Sequence, residues 1–353
     1  MIKNLHALRA VAALMVVYVH IVPDLRRAYP DLPIFVSANA GVDIFFVLSG
    51  FLMVTSVEKV KTTIFDFYFN RLARIVPLYW LLNLLICAAY LLGLRPIGVT
   101  TLPLDDVVKS FLFLPVHRNG VDYPILYVGW TLIYEILFYF VFGIFVLIKD
   151  RFSASLFVTL ILIILAALHL VLNVEDSIFL RFYTNPIILD FALGVWLARL
   201  SLAYDFRSLP AYCLISSMLA GAVLIALPDI ISLPSYEGFT RPATWGVGGS
   251  LVIFALLGLE KRGISVNYSP VLMIGSASYA IYLIHPFVLQ IVAKVTSHIV
   301  EYRPLFCVLT VVGGIGLTLL TSVQTWQRFE VPANKVLRNW LASRALRINA
   351  NEV

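Results

Sequence analysis

Apolar residues run along this chain in long blocks, each closed by charged or turn-forming residues. A helix needs roughly 17 to 25 apolar residues to cross about 30 Å of hydrocarbon. Ten such blocks recur, near residues 5–22, 40–57, 77–94, 127–148, 153–172, 186–202, 211–229, 242–259, 270–292 and 305–326. Barrel strands would instead alternate apolar and polar residues over about ten positions. Uninterrupted runs satisfy their own backbone hydrogen bonds only as helices. The pattern therefore predicts an all-α, polytopic integral membrane protein with about ten transmembrane helices.

Composition sharpens this reading. The 353 residues are 61% hydrophobic and 13% charged, with a mean hydropathy of +0.92, too apolar for a soluble domain. The net charge of +6 follows the membrane rather than nucleic acid. With a cytoplasmic N-terminus, seventeen of the 26 Lys and Arg residues, among them Lys3, Lys59, Lys61, Arg71, Arg74, Lys149, Arg151, Lys335 and Arg338, fall on the cytoplasmic side. That excess predicts that both termini are cytoplasmic, and no nucleic-acid partner is expected. Residues 1–326 read as a transmembrane domain and 327–353 as a basic cytoplasmic tail lying amphipathically on the lipid surface. Arg9 breaks the h-region of a signal peptide and no small-residue cleavage site follows it, so the first block is a span. Cys87, Cys213 and Cys307 sit singly in apolar runs, a spacing that suits neither a disulfide framework nor a metal site. No phosphate-binding loop, His-Glu-x-x-His or dinucleotide fingerprint occurs, so nucleotide hydrolysis, zinc proteolysis and soluble hydride transfer lack their usual machinery.

The polar exceptions inside the apolar blocks carry the candidate chemistry. Arg9 and His20 are eleven positions apart; at 100° and 1.5 Å per residue they share one helix face about 16 Å apart. A charge in a membrane helix marks a working site. Histidine exchanges a proton near neutral pH, and arginine is a permanent cation able to grip carboxylate or phosphate. Asp43, near the outer end of the second span, has two readings: it caps the helix start, or it orients and charges His20. Ser49 and Gly50 permit close helix packing, and Ser49 lacks the Gly-x-Ser-x-Gly elbow of a nucleophile. Arg71 and Arg74 stand at i, i+3 on a short amphipathic helix expected to end at Pro77; they either anchor the interface or offer their forks to the phosphates of a nucleotide-like donor.

Glu135 lies within the fourth span with Trp130, Thr131, Tyr134 and Tyr139 around it, Thr131 and Tyr139 being four residues away on its face. A buried glutamate is paired or protonated. The preceding loop, with His117, Arg118, Asn119, Asp122 and Tyr123, is mostly solvated, and Tyr123, Trp130 and Tyr134 are the candidate contacts for a polar acceptor. Asp190 and His285 complete the intramembrane set. His285 precedes Pro286, so a local structural role competes with a catalytic one. His169 reads as packed or interfacial, and His6 and His298 lie at span ends.

The blocks LRAVAALMVVYVH, GVDIFFVLSGFLM, RLARIVPLYW, GWTLIYEILFY, SYAIYLIHP and WQRFEVPANKVLRN occur in the order seen in acyltransferase family 3, the multi-pass membrane O-acyltransferases, and the chain resembles that family over nearly its whole length. GWTLIYEILFY is most similar to the exopolysaccharide acetyltransferases within it. The resemblance implies a ten-helix core in the bacterial inner membrane. It implies transfer of an acyl group, usually acetyl, from cytoplasmic acyl-CoA to a hydroxyl of a cell-surface glycan, exopolysaccharide or lipid-linked saccharide, with acetyl-CoA as a donor substrate and no tightly bound cofactor. By the same resemblance Arg9 and His20 match the essential pair, Arg71 and Arg74 the cytoplasmic basic motif, Glu135 the intramembrane acid and Asp43 the acidic position of the second helix. Asp190 departs from the glutamate of related chains while keeping the acid. With no appended secreted domain, transfer is expected to be completed within the membrane domain or by a partner.

These residues together predict a polar passage along the first helix. Arg71 and Arg74 hold the phosphates at the cytoplasmic mouth, the donor arm passes Arg9, and His20 serves as general base or transient acyl carrier, with Asp43 or Glu135 stabilising its imidazolium. Two rival readings use the same residues: a transporter or flippase for a lipid-linked saccharide, which the absence of repeated halves disfavours, and a scaffold of a polysaccharide-export complex. A homo-oligomer is as compatible with these apolar spans as a monomer.

Overall fold

The computed structural model describes residues 2–58, 63–118, 120, 122–144, 146, 148, 150–231, 237–299 and 302–351. Lys59, Lys61, Asn119 and Lys149 of the sequence argument lie outside them. The helices are α1 (Lys3–Ala28), α2 (Ala40–Glu58), α3 (Ile64–Leu91), α4 (Leu104–Phe111), α5 (Trp130–Ile144), α6 (Arg151–Val171), α7 (Ile178–Tyr183), α8 (Leu189–Ala203), α9 (Ala211–Ile231), α10 (Val247–Lys261), α11 (Ser269–Ser276), α12 (Ser278–Ile299), α13 (Arg303–Thr325) and α14 (Val331–Asn351). Among the described residues, nine stretches are long and apolar enough to cross a bilayer, and Tyr127–Gly143 is a shorter apolar helix. The protein is a helical, multi-pass membrane protein, as the ten apolar blocks predict.

Three boundaries differ from the sequence reading. Helix α3 does not end at Pro77 but contains it, with the Tyr279 hydroxyl donating to the nearby Ile75 carbonyl (2.6 Å). The block at 270–292 divides at Ala277 into α11 and α12. The last block continues through a π-type turn, Trp326–Glu330, into α14, which packs against α3, with Trp340 stacked on Phe69.

Helix α1 is central, packing on α2, α10, α11, α12 and α13. Ile2 gives it no side-chain cap. Its first free N–H groups, those of Lys3 and Asn4, donate instead to the Glu260 carboxylate of α10, both at 2.7 Å, and the Asn4 amide donates to the carbonyls of Leu256 and Ile264. Such orphan donors need partners wherever they are shielded from water. The turn entering α2 is treated alike: Val36 and Ser37 donate to Asp229 of α9 (2.7 and 3.1 Å).

Helices α2 and α8 meet backbone to backbone. A Cβ on Gly50 would lie 2.2 Å from the Phe191 carbonyl oxygen, and one on Gly194 would lie 2.0 Å from that of Val47. Small residues at such crossings let membrane helices gain packing contacts that larger ones forbid. Gly194→Ala is therefore expected to cost about 1–3 kcal/mol by overpacking, read as a lower melting temperature in detergent. Gly316→Ala, in open space, leaves it unchanged.

Candidate active site

Two cavities enter the bundle from opposite ends, and the polar residues of α1 divide between them. The first, of about 730 Å³, is lined by Arg9 of α1, Ser49 of α2, Arg71 and Arg74 of α3, Glu135 and Tyr139 of α5, and Ser278, Tyr279 and Tyr282 of α12. Arg9 donates from Nε and Nη2 to Ser278 Oγ (3.1 and 2.9 Å). Arg71 donates to Ser56. Ser49 (3.3 Å) and Tyr139 both donate to Glu135 Oε1. The proline-tolerant α3 carries Arg71 and Arg74 inward, so four residues singled out on three separate spans, Arg9, Arg71, Arg74 and Glu135, share one chamber. Three guanidinium groups against one carboxylate make it strongly cationic and suited to phosphate.

His20 lies elsewhere. It lines a second cavity of about 870 Å³ with Asp24, Arg27, Ile97, Tyr127, Pro286, Gln290 and Lys294. Its Nδ1 lies 2.9 Å from the Val16 carbonyl oxygen. A carbonyl only accepts, so Nδ1 carries the proton and Nε2 holds the free lone pair, the form a general base requires. The expectation that Asp43 or Glu135 stands against His20 is not met: both carboxylates are committed to other partners, and the Val16 carbonyl orients the ring instead. His285 is the neighbour that sequence reasoning set aside as equally structural. Its ring centroid lies 4.8 Å from that of His20, it is fully buried, its Nδ1 donates to the Ile281 carbonyl (3.1 Å), and its Nε2 has no partner among the described residues. Ile97, at the rim, has φ 44°, a costly conformation for a β-branched residue, with its N–H donated to Gln290 Oε1 (2.7 Å).

A thin wall separates the two chambers. Tyr282 lines the Arg9 side, donates to the Val128 carbonyl and accepts from Thr131, both at 2.9 Å, and its ring lies 6.1 Å from that of His285. Ser278, Tyr282 and His285 stand at i, i+4 and i+7 of α12, one helix face, so the α1–α12 seam joins Arg9 to His20 through this tyrosine.

Asp43 stands in the first turn of α2, where the helix-start reading puts it, but its carboxylate pairs with an arginine rather than with His20. It is fully buried and forms a two-pronged pair with Arg241 (Nε–Oδ1 and Nη2–Oδ2, both 2.9 Å). Asp190 is buried beside them, against Gly246, where a Cβ would lie 2.0 Å from its Oδ1. Arg241 also lies over the rings of Trp130 (5.9 Å) and Trp245 (5.2 Å). Trp130 meets Tyr134 edge-on at 5.8 Å. Arg241 is a site residue that the sequence reading did not single out. Trp130, Tyr134 and Tyr123, the candidate acceptor contacts, line one cavity of about 1290 Å³ with Asp122, His169, Arg181 and Arg241. The rings of Tyr123 and Tyr127 lie 6.5 Å apart, so the segment around Tyr123–Tyr127 divides this cavity from that of His20.

The class of protein to which this membrane bundle belongs follows from comparison with known proteins. Residues 2–323 match the acyltransferase domain of acyltransferase family 3, and the chain belongs to that family. It is 34% identical over 263 residues to the exopolysaccharide production protein ExoZ of Rhizobium meliloti (strain 1021), covering 74% of this chain and 79% of ExoZ. It is 24% identical to the acyltransferase MdmB of Streptomyces mycarofaciens over 82% of this chain and 79% of MdmB. It is 32% identical to protein 2 in the picA locus of Rhizobium radiobacter over 38% of this chain and 76% of that protein. No solved structure matches the chain.

Removing one member of a buried ion pair strands the other, at a cost of about 3–5 kcal/mol. Arg241→Met is accordingly expected to lose most folded protein on size-exclusion chromatography. Arg241→Met combined with Asp43→Asn recovers it; a double variant no better than the single one contradicts the charge-pairing account.

Proposed function

We propose that this protein moves an acyl group, acetyl by preference, from cytoplasmic acyl-CoA to a hydroxyl of an exopolysaccharide or other cell-surface glycan. The observation that carries the reading is the arrangement along α1: a three-arginine chamber at one end, and at the other an imidazole whose lone pair is free. Family membership and the similarity to ExoZ, an exopolysaccharide production protein, support the transfer and the glycan acceptor. The Arg74 end faces the cytoplasm in this reading, in keeping with the excess of basic residues assigned to that side.

Arg71 and Arg74 hold donor phosphates while Arg9 lines the route of the thioester arm. Tyr282 stands between that arm and His20, so the thioester reaches the imidazole when the Tyr282 side chain swings from Val128 and Thr131. An acceptor sugar is gathered by Trp130, Tyr134 and Tyr123, and its reacting hydroxyl reaches the cavity of His20 when the Tyr123–Tyr127 segment that divides the two moves aside. Its hydroxyl loses a proton to His20 Nε2, the oxygen bonds to the thioester carbonyl carbon, the C–S bond breaks, and the departing thiolate takes the proton from the imidazolium. A thioester is already activated, so the carbonyl of Val16 and the free Nε2 provide what this step asks of the chain. The alternative route, acyl transfer to His20 Nε2 and then to the hydroxyl, uses the same nitrogen.

One observation favours a second reading. Chambers entering from opposite ends and meeting at a single aromatic wall also suit a carrier of a lipid-linked saccharide, with His20 and Arg9 lining its path.

Purified protein in nanodiscs, given acetyl-CoA labelled in the acetyl group and a glycan acceptor, is expected to release CoA and label the glycan. His20→Ala should lower the rate by about 10²–10⁴-fold with expression and elution volume intact. Full activity in that variant defeats the assignment, and saccharide movement without CoA release favours the carrier.

A further inference from the structure

The π-type turn Trp326–Glu330 leads the chain from α13 into α14 beside the Arg74 end of the bundle. A cavity of about 950 Å³ opens there, lined among others by Arg74, Trp326, Glu330, Asn334, Lys335 and Arg338. Arg74 also lines the three-arginine chamber, so the two spaces adjoin across a single side chain. Lys335 and Arg338, three residues apart, face the same way from α14. With Arg74 they set three cations against the one carboxylate of Glu330. Trp326 is half-buried and gives the cavity an aromatic wall. Glu330 is 9% exposed, and its Oε2 has no hydrogen-bond partner among the described residues. A buried acceptor without a donor is costly, and a ligand N–H or O–H would satisfy it. π-type turns inside helices recur at functional sites.

We propose that this cavity is the nucleotide subsite of the acyl donor. The phosphates of the adenosine bisphosphate rest on Lys335, Arg338 and Arg74, the purine lies against Trp326, Glu330 accepts from a base or ribose donor, and the thioester arm continues past Arg74 into the chamber of Arg9. The proposal rests on the acyl-CoA reading above. It gives the C-terminal helix a part in donor recognition beyond lipid anchoring. Phosphate chemistry is shared with anionic lipid headgroups, and the nucleotide is the source assigned here because the cavity adjoins the chamber of Arg71 and Arg74 and carries an aromatic wall on which a purine can lie.

The test is binding, which needs no turnover. The full chain in nanodiscs of phosphatidylcholine alone is titrated with adenosine 3′,5′-bisphosphate by calorimetry. Lys335→Gln combined with Arg338→Gln should weaken binding by about tenfold or more, as expected for lost charge-assisted contacts, and Trp326→Leu should weaken it as well. In the unsubstituted protein, adenosine 5′-monophosphate should bind more weakly than the bisphosphate, a comparison that holds even if a variant misfolds. Equal binding of the two nucleotides, or unchanged binding in the folded double variant, overturns the proposal. Displacement of the bisphosphate by phosphatidylglycerol added to the nanodisc assigns the cations to lipid and overturns it too. Nucleotide binding with no CoA release leaves the subsite standing and removes the transferase reading instead.

Discussion

A guanidinium or an imidazole in hydrocarbon cannot be solvated by lipid, so whatever its own helix backbone leaves unsatisfied must find partners on other helices. The seam between α1 and α12 meets that demand. Ser278 receives two donations from Arg9, and His285 lies against His20. The two α12 residues are two helical turns apart, in step with a first helix that presents Arg9 and His20 on one face. Once this seam is set, α1 is held at the centre of the bundle, with its polar face turned from lipid toward the two chambers. The Asp43–Arg241 pair obeys the same constraint between α2 and the start of the α10 span. A two-pronged arginine–carboxylate pair is a specific geometry, and it fixes the cation beside Trp130 and Trp245.

The chemistry is consequently spread along the bundle rather than gathered at a point. The arginines and Glu135 sit in one chamber, the imidazoles in another, and Tyr282 with its bonds to Thr131 and Val128 closes the space between. In the proposed reaction this separation has a use: the donor held on one side meets the acceptor only when the wall opens. The histidines need no carboxylate to define their tautomers, since each donates Nδ1–H to a carbonyl one helical turn back, at Val16 and at Ile281.

Much of this was legible in the chain. Of the ten apolar blocks, nine correspond among the described residues to stretches long enough to span and one to the shorter helix Tyr127–Gly143, because hydrocarbon thickness and helix rise dictate length whatever the neighbours are. The rarity of charge inside those blocks pointed to Arg9, His20, Asp43, Glu135, Asp190 and His285, and every one of them is an inward-facing residue. Gly50 was read as a packing residue, and it is one. The partners were not legible. Asp43 was weighed as a helix cap or as the acid of His20, while its true partner lies 198 positions away. His285, next to a proline, looked like a local adjustment, although it stands against the candidate base.

The sequence by itself determined the class of protein, the rough extent of its apolar helices, and which residues are too polar to face lipid; these follow from local quantities, hydropathy and helical period. Only the tertiary structure decided which polar groups meet. Glu260 and Asp229 complete the starts of helices from distant spans, Gly194 fits against Val47, and α1 faces α12 rather than its sequence neighbour alone. These pairings depend on the order in which helices pack, and in a bilayer almost every apolar surface is an acceptable neighbour for every other. The choice is made by a few small residues and buried polar groups whose complementarity appears only when the helices are in contact.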